Sequence, residues 1–184
     1  MELIVCESLS QWQLAGVWRL LQVYGEEFVP PLSQRRSTCQ QTLHGGDAPS
    51  TEGPRAYFEE MKRQHFILAV EGEEVAGFLT FRYDYVPEIL AARQEPGLLG
   101  LYITTIIVDA AYRRHGLAQG FYHRLMALYP RFRRLISTRT WSGNSNHISL
   151  LQKLAFTGPV RIPDDRGPGI DTVYYYTLLG EGQK

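Results

Sequence analysis

An apolar segment, a short basic turn and an amphipathic segment follow one another in the clearest pattern along the chain. Leu101 to Val108 is apolar, rich in β-branched residues and free of breakers, which is typical of a strand buried on both faces. From Leu117 to Leu128 apolar residues recur at helical spacing, and Pro130 marks the end of this segment. The pattern therefore predicts a strand, a tight turn and a helix between Gly100 and Tyr129.

Before this unit, the pattern predicts a strand, several helical segments and a β-hairpin. The first helix has a serine as its cap, either Ser8 or Ser10, and ends near Gly25. The second is closed by the pair Gly45-Gly46. In chain order the predicted segments are a strand at 3–6, a helix that ends near residue 25, a second helix at 32–43 and a third at 55–64. Hairpin strands at 66–70 and 75–85 and a short helix within 87–96 follow.

After the unit, the chain predicts a strand at 135–140, a helix capped by Asn144 or Asn146, a turn-rich loop at 163–169 and a last strand at 172–179. Internal repeats, linkers and low-complexity tracts are absent from the sequence. We therefore expect residues 1–184 to form one domain.

The basic turn between the predicted strand and helix has the features of an anion-binding site. The first N–H groups of a helix lack intrahelical partners, and the helix dipole stabilises a phosphate beside them. Gly116 and Ala118 keep side-chain bulk away from this backbone. Arg113, Arg114 and His115 add side-chain donors. The spacing fits neither a P-loop nor a dinucleotide-binding motif, and a basic helix start with small packing residues is the alternative interpretation.

Composition narrows the class of protein. Nineteen basic and nineteen acidic side chains leave no net charge, which argues against a dedicated nucleic-acid binder. Two cysteines without clustered histidines predict neither a disulfide framework nor a metal site. No run approaches the length of a membrane span, and the N-terminal residues lack the pattern of a signal peptide. We therefore expect a cytoplasmic protein that does not bind a membrane.

The sequence from Val108 to Ala118, VDAAYRRHGLA, resembles the acyl-CoA signature of the GNAT superfamily of N-acetyltransferases. That signature is an Arg or Gln, two residues, Gly, one residue, then Gly or Ala. Arg113, Gly116 and Ala118 fill its fixed places. The position of the motif, after a buried strand and before an amphipathic helix, makes the resemblance more specific.

A second similarity lies downstream, where Asn144 to Phe156 resembles a later helix of the same family. The segment departs from the family at Ala155, where Gly is usual. It also departs at Leu151, where many members have a Tyr that protonates the departing thiolate. The resemblance therefore covers donor binding more fully than it covers proton transfer.

The resemblance implies an α/β (α+β) fold with a mixed, mostly antiparallel sheet of six to seven strands and helices on both faces. It implies acetyl-CoA as co-substrate, no metal, and an acceptor side lined by the segment between the first strands. A backbone N–H near Val108 would polarise the thioester carbonyl, and Asn144 would contact the pantetheine arm, although Asn144 also suits a helix cap. The residues implied for donor binding are Ile106, Ile107 and Val108 for the arm, Arg113, Arg114, His115, Gly116, Leu117 and Ala118 for the pyrophosphate, and Asn144.

His147 is the candidate catalytic residue. It lies one turn before Leu151 on the same face of the predicted helix, and imidazole titrates in a range that suits proton transfer. Packing or capping is the alternative role. Weaker candidates are Asn146, Tyr102, Tyr174, Tyr176 and, acting through water, Asp165.

The resemblance implies an acyl-CoA-dependent N-acetyltransferase that moves an acetyl group from acetyl-CoA to an unidentified amine by direct attack. The acceptor is a small-molecule or peptide amine, and a homodimer is left open. Glu88 and Glu95 form either an acidic rim that attracts a cationic amine or an ordinary solvated face. Because Leu151 replaces the usual Tyr, a non-catalytic acyl-CoA-binding sensor or interaction module is the alternative. A third hypothesis is a general anion-binding protein.

Overall fold

Seven strands form one sheet in the computed structural model, which describes residues 1–44, 48, 50–83, 85–93, 99–128 and 134–179. They are β1 (Glu2–Cys6), β2 (His65–Glu71), β3 (Glu74–Tyr83), β4 (Leu99–Val108), β5 (Arg134–Trp141), β6 (Thr157–Ile162) and β7 (Thr172–Leu179). Their order across the sheet is β1-β2-β3-β4-β5-β7-β6. All neighbours are antiparallel except β4 and β5, which are parallel. The predicted mixed, mostly antiparallel sheet is confirmed.

Helices cover both faces of this sheet. They are α1 (Gln11–Tyr24), α2 (Arg55–Met61), α3 (Glu88–Ala91), α4 (Leu117–Leu128) and α5 (Ser145–Lys153). The first two bury Leu20 and Met61 against one face, and α4 and α5 bury Phe121 and Leu151 against the other. Burial of each such side chain stabilises the fold by about 1.5–3 kcal/mol. The prediction of helices on both faces is confirmed.

The helix predicted at 32–43 is wrong. The structure has one 3₁₀ turn, Leu32–Gln34, followed by irregular backbone. Arg35 and Thr38 are buried here, and buried polar groups must be hydrogen-bonded. Arg35 donates to two carbonyls of the preceding loop, and the Thr38 hydroxyl donates to Glu60 at 2.7 Å. The segment therefore follows these bonds rather than a helical repeat.

The sequence pattern gave no strand at β6, which lies at the edge of the sheet and pairs with β7 alone. Its residues, TGPVRI, are mostly exposed and include a proline, which a sheet tolerates at an edge strand because one side of the ladder is unpaired. The predicted helix end at Pro130, the pair Gly45-Gly46 and Glu95 lie outside the described residues.

No helix in the described part of the chain is long and apolar enough to cross a membrane. The same residues contain no group of three or more His, Cys, Asp or Glu side chains that is placed to hold a metal ion.

Candidate active site

The parallel strands β4 and β5 separate along their length. Their pairing ends at Ile103 opposite Thr138. Beyond that point β4 continues to Val108 paired with β3, and β5 continues to Trp141 paired with β7. One edge of each strand is therefore left unpaired, and a wedge-shaped opening forms between them.

Thr104 lies where the separation begins and is an extra residue in β4. Phe81 of β3 pairs with Ile103 and Thr80 pairs with Thr105, so Thr104 has no opposite residue. Such a bulge bends its strand and increases the local twist. It turns β4 away from β5 at the residue where their pairing ends.

The open edge of β4 presents backbone groups from alternate residues. The N–H of Asp109 donates to the C=O of Ala76 in β3 at 2.9 Å, and hydrogen-bonded pairs alternate along an antiparallel ladder. Ile107 therefore directs its polar backbone groups to β3, whereas Ile106 and Val108 direct theirs into the opening. An extended ligand could pair with these groups as an added strand does.

A cleft of about 530 Å³ fills the opening. Its volume is in the range of small-molecule sites. The predicted residues in its wall are Ile106, Ile107, Val108, Arg113, Ala118, Asn144 and His147. The other predicted residues, Arg114, His115, Gly116 and Leu117, are not in the wall and form the turn between Arg113 and Ala118. The strand predicted to be buried on both faces is in fact only half-buried at Thr104, Ile106 and Val108, because the cleft removes its cover.

The turn before α4 has the backbone of an anion site. Gly116 has a φ of +79° and Arg114 a φ of +67°, so the chain reverses sharply before the helix. The Gly116 carbonyl accepts the first helical bond, from the N–H of Gly120 at 2.9 Å. A Cβ added at Gly116 would meet nothing within 4 Å. The space beside the first N–H groups of α4 is therefore open to a ligand.

The Arg113 side chain is engaged within the protein, contrary to the expectation that it offers free donors. Its Nη2 donates to Glu27 at 3.0 and 3.1 Å, its Nε donates to the carbonyl of Val108 at 2.9 Å, and its guanidinium lies over the ring of Tyr24 at 4.6 Å. Because these partners hold it against α1, Arg113 fixes the turn. An anion there meets the backbone rather than this side chain.

Asn144 caps α5, which is one of the two roles predicted for it. Its Oδ1 accepts from the N–H of His147 at 3.3 Å, and its Nδ2 donates to Thr140 at 3.0 Å. Both ends of the amide are thus bonded within the protein. Contact between Asn144 and a donor arm stays a prediction that rests on its place in the cleft wall.

His147 and Tyr122 form a hydrogen-bonded pair at the edge of the cleft. The Nε2 atom of His147 lies 2.7 Å from the Tyr122 hydroxyl. Burial lowers the pKa of His147 to about 4 and raises the pKa of Tyr122, so both side chains are neutral at pH 7. Leu151 is fully buried in the core and is not in the cleft wall. If Tyr122 donates to Nε2, the Nδ1–H of His147 is free to donate a hydrogen bond.

We expect His147 to make the fold sensitive to acid. An unfolded histidine has a pKa of about 6.5, so between pH 7 and pH 5 the unfolded chain gains a proton that the folded chain excludes. Linkage then lowers the free energy of unfolding by about 1–2 kcal/mol over this interval. His147→Gln should remove this part of the loss. Urea unfolding at both pH values measures it, and His123→Gln, at an exposed histidine of α4, is the control. An equal loss in wild type and His147→Gln would contradict the burial of a neutral imidazole.

Asp165 is not placed to act through water, so this prediction is wrong. Its carboxylate accepts from the hydroxyls of Thr42 and Thr172 and from the N–H of Leu43, and it is only 4% exposed. Hydrogen bonding to three donors explains why the pKa of Asp165 is lowered although burial alone would raise it. Asp165 therefore joins the residue 42–43 segment to β7.

The weaker candidates divide between two cavities. Asn146 lies in the wall of the large cleft. Tyr102 and Tyr174 line a second cavity of about 290 Å³. Tyr174 and Tyr176 pack in one side-chain cluster and Tyr175 in another, as alternation along a strand predicts. Arg139 lies in the walls of both cavities and connects them.

Sequence reasoning missed three arginines of the cleft wall, Arg35, Arg139 and Arg166. For Arg139 a signal was present, because a charged residue within the predicted strand at 135–140 has no ordinary place in a buried strand. Arg35 and Arg166 stand in polar, turn-rich sequence and resemble solvated residues. Their burial follows from how distant loops meet.

The sequence model of the Acetyltransferase (GNAT) family matches residues 26–156. No relative among the curated proteins matches the sequence. Solved structures with the same fold include an N-acetyltransferase from Staphylococcus aureus Mu50, with 19% identity, 97% of this chain and 99% of that chain covered, and a TM-score of 0.61.

Two further solved structures with the same fold are complexes with a ligand. Arabidopsis thaliana NAA60 in complex with a bisubstrate analogue has 17% identity, coverage of 98% of this chain and 100% of that chain, and a TM-score of 0.64. An aminoglycoside 6'-N-acetyltransferase complexed with coenzyme A has 13% identity, coverage of 98% and 99%, and a TM-score of 0.60. At these identities the similarity shows the fold alone.

Proposed function

The chain belongs to the acetyltransferase (GNAT) family, and on that premise we propose that it is an acyl-CoA-dependent N-acetyltransferase with acetyl-CoA as its donor. The observation that carries the proposal is the cleft between β4 and β5, which has an open strand edge along one wall and a helix N-terminus at one end. Acetyl-CoA has the matching parts, an extended amide-containing arm and a pyrophosphate.

Donor binding is assigned to backbone more than to side chains. The pyrophosphate meets the turn at 113–118 and the first N–H groups of α4. The pantetheine arm pairs with the cleft-facing groups of Ile106, as a further strand would. The N–H of Val108 is left for the thioester carbonyl, since the Val108 carbonyl accepts from Arg113 at 2.9 Å. Ile107 lies in the wall, but its polar backbone groups face β3 and do not pair with the arm.

The reaction is a direct transfer. The neutral amine attacks the thioester carbonyl carbon, the N–C bond forms, the C–S bond breaks, and the thiolate leaves while the amine loses a proton to water. The N–H of Val108 stabilises the carbonyl oxygen as it gains charge, a contribution of about 10²–10³ in rate. His147 is neutral, so its proposed role is to donate a hydrogen bond to the leaving sulfur rather than to act as a strong acid.

The alternative is a non-catalytic acyl-CoA-binding sensor or interaction module. Leu151 stands where many members of the family have a Tyr, and this difference supports the alternative. An acceptor amine, small-molecule or peptide, separates the two: an enzyme releases free thiol from acetyl-CoA in proportion to added amine, whereas a sensor binds the donor without amine-dependent release. Thiol release over a panel of amines, with donor binding measured separately, tests the proposal.

A further inference from the structure

Three arginines converge on the side of the cleft that faces α1 and α2. Arg35 and Arg166 are each 7% exposed, Arg139 is half-buried, and all three are in the cleft wall. Arg139 bonds the Tyr174 hydroxyl at 3.2 Å, and Tyr174 packs with Tyr102 in a cluster separate from the core under α4 and α5. The arginines therefore lie across the sheet from the proposed donor helix.

The partners of these arginines are neutral. Arg35 donates to backbone carbonyls of residues 29 and 30. Arg166 donates to the hydroxyl of Thr172 at 2.9 Å and to the carbonyl of Val29. Arg139 bonds a tyrosine hydroxyl. Within the described residues none of the three forms an ion pair.

The nearby carboxylates do not balance this charge. Asp165 is the buried carboxylate whose charge acts on Arg35 and Arg166, and its oxygens are bonded to two hydroxyls and an N–H. Glu27, also in the cleft wall, pairs with Arg113 at 3.0 Å. Among the residues that the structure describes, three guanidinium groups therefore share one buried carboxylate.

The pKa values of Arg35 and Arg166 are lowered, whereas the pKa of Arg139 is raised, because Tyr102 and Tyr174 outweigh the effect of its burial. Burial, with repulsion from Arg35 and Arg139, lowers the pKa of Arg166 to about 9. Burial, with repulsion from Arg139, also lowers the pKa of Arg35 to about 10. Removing a charge from water costs several kcal/mol unless a partner compensates it. A bound anion would supply that compensation.

Arg139 retains donors for such an anion. Among the described residues, its one hydrogen bond is that from Nη1 to Tyr174, and Arg139 lies in the walls of both cavities. Arginine binds carboxylates and phosphates through a planar pair of donors.

We propose that the acceptor is an amine that also carries an anionic group, a carboxylate or a phosphate, and that Arg35, Arg139 and Arg166 bind this group. The proposal rests on the proposed function, because the proposed donor places its pyrophosphate at α4 and leaves a neutral arm in the cleft. The second cavity, walled by Tyr85, Tyr102 and Tyr174, holds the rest of the acceptor. Glu88 also lines this second cavity, but it is exposed and accepts a hydrogen bond from Gln41 at 3.1 Å, so an acidic rim for a cationic amine is not the chief feature.

Matched acceptor pairs test the charge requirement. Thiol release from acetyl-CoA is measured with L-amino acids beside their amides, and with O-phosphoethanolamine beside ethanolamine. We expect an anionic member to react at least about 10-fold faster than its neutral counterpart, since one charge-assisted bond is worth this much. A faster reaction of the amino acids than of their amides identifies a carboxylate as the recognised group. A faster reaction of O-phosphoethanolamine than of ethanolamine identifies a phosphate.

Arg139→Gln tests the residue assignment. Glutamine can still donate to Tyr174, so the fold should survive, and Arg139→Lys keeps the charge if it does not. We expect the KM for the anionic acceptor to rise about 10- to 100-fold, a clearly larger change than the change in KM for the matched neutral amine. Arg161→Gln is the control, because Arg161 is exposed and pairs with Asp171 at 3.0 Å outside both cavities.

The outcomes separate this inference from the proposed function. Acetyl-CoA binding that persists while neutral amines react as fast as anionic ones, or while no anionic amine reacts, overturns the acceptor class and leaves the donor assignment in place. Failure of acetyl-CoA to bind the wild-type protein contradicts the proposed function instead. An Arg139→Gln protein with an unchanged KM for the anionic acceptor overturns the role of Arg139.

Discussion

Replacing Gly116 with valine is expected to weaken acetyl-CoA binding by at least about 100-fold while the protein stays folded. Nothing lies within 4 Å of a Cβ at this position, so the new side chain extends into the space where the pyrophosphate is proposed to bind. Loss of one or two charge-assisted hydrogen bonds accounts for the magnitude. Isothermal calorimetry of acetyl-CoA binding measures it.

Gly72→Val is the matched control. Gly72 also has a positive φ, +61°, with nothing within 4 Å of its Cβ, and it lies in the turn between β2 and β3. Both variants should lose about 1–2 kcal/mol of stability, the cost of holding a side chain in a left-handed conformation. Gly72→Val should nevertheless bind acetyl-CoA as the wild type does. Unchanged acetyl-CoA affinity in a folded Gly116→Val protein would mean that the turn is not the pyrophosphate site.

Removing the single N–H of Val108 is expected to lower kcat by about 10²–10³, the usual effect of losing one oxyanion donor. The α-hydroxy analogue of valine at position 108 replaces this N–H with an ester oxygen and keeps the side chain. Because the N–H faces the cleft rather than β3, the change should cost little stability. Amine-dependent thiol release measures kcat, and denaturant unfolding measures stability.

The equivalent change at Ile107 gives the opposite pattern. The N–H of Ile107 faces β3, so its α-hydroxy analogue removes a bond of the sheet. We expect a loss of about 1 kcal/mol in the free energy of unfolding and a kcat close to that of the wild type. If the Val108 ester retains full kcat, the backbone of β4 does not polarise the thioester.

The elements nearest the acyl-CoA motif could be predicted from sequence because local pattern determines them. The apolar run of β4, the helical spacing of α4 and the Asn144 cap of α5 each depend on residues within a few positions, and the structure has all three. Alternation along β7 likewise separated Tyr174 from Tyr175. Where neighbouring residues along the chain determine an element, the sequence alone predicts it.

The features that the sequence did not predict depend on contacts between residues that are distant along the chain. Residues 35–43 do not form a helix in part because the Thr38 hydroxyl bonds Glu60 of α2, 22 positions away, which no local pattern encodes. The engagement of Arg113 by Glu27 joins residues 86 positions apart, and the burial of Asp165 depends on Thr42, 123 positions away. The arginine cluster has the same origin, since its members come from three separate segments.

Calorimetric titration with acetyl-CoA, with coenzyme A and ATP as comparisons, decides whether the cleft binds an acyl-CoA donor. We predict saturable binding of acetyl-CoA and coenzyme A and much weaker binding of ATP, because ATP has phosphates for the helix N-terminus but no pantetheine arm for the open edge of β4. No binding of acetyl-CoA, or equal binding of ATP, would contradict the assignment of the cleft to an acyl-CoA donor.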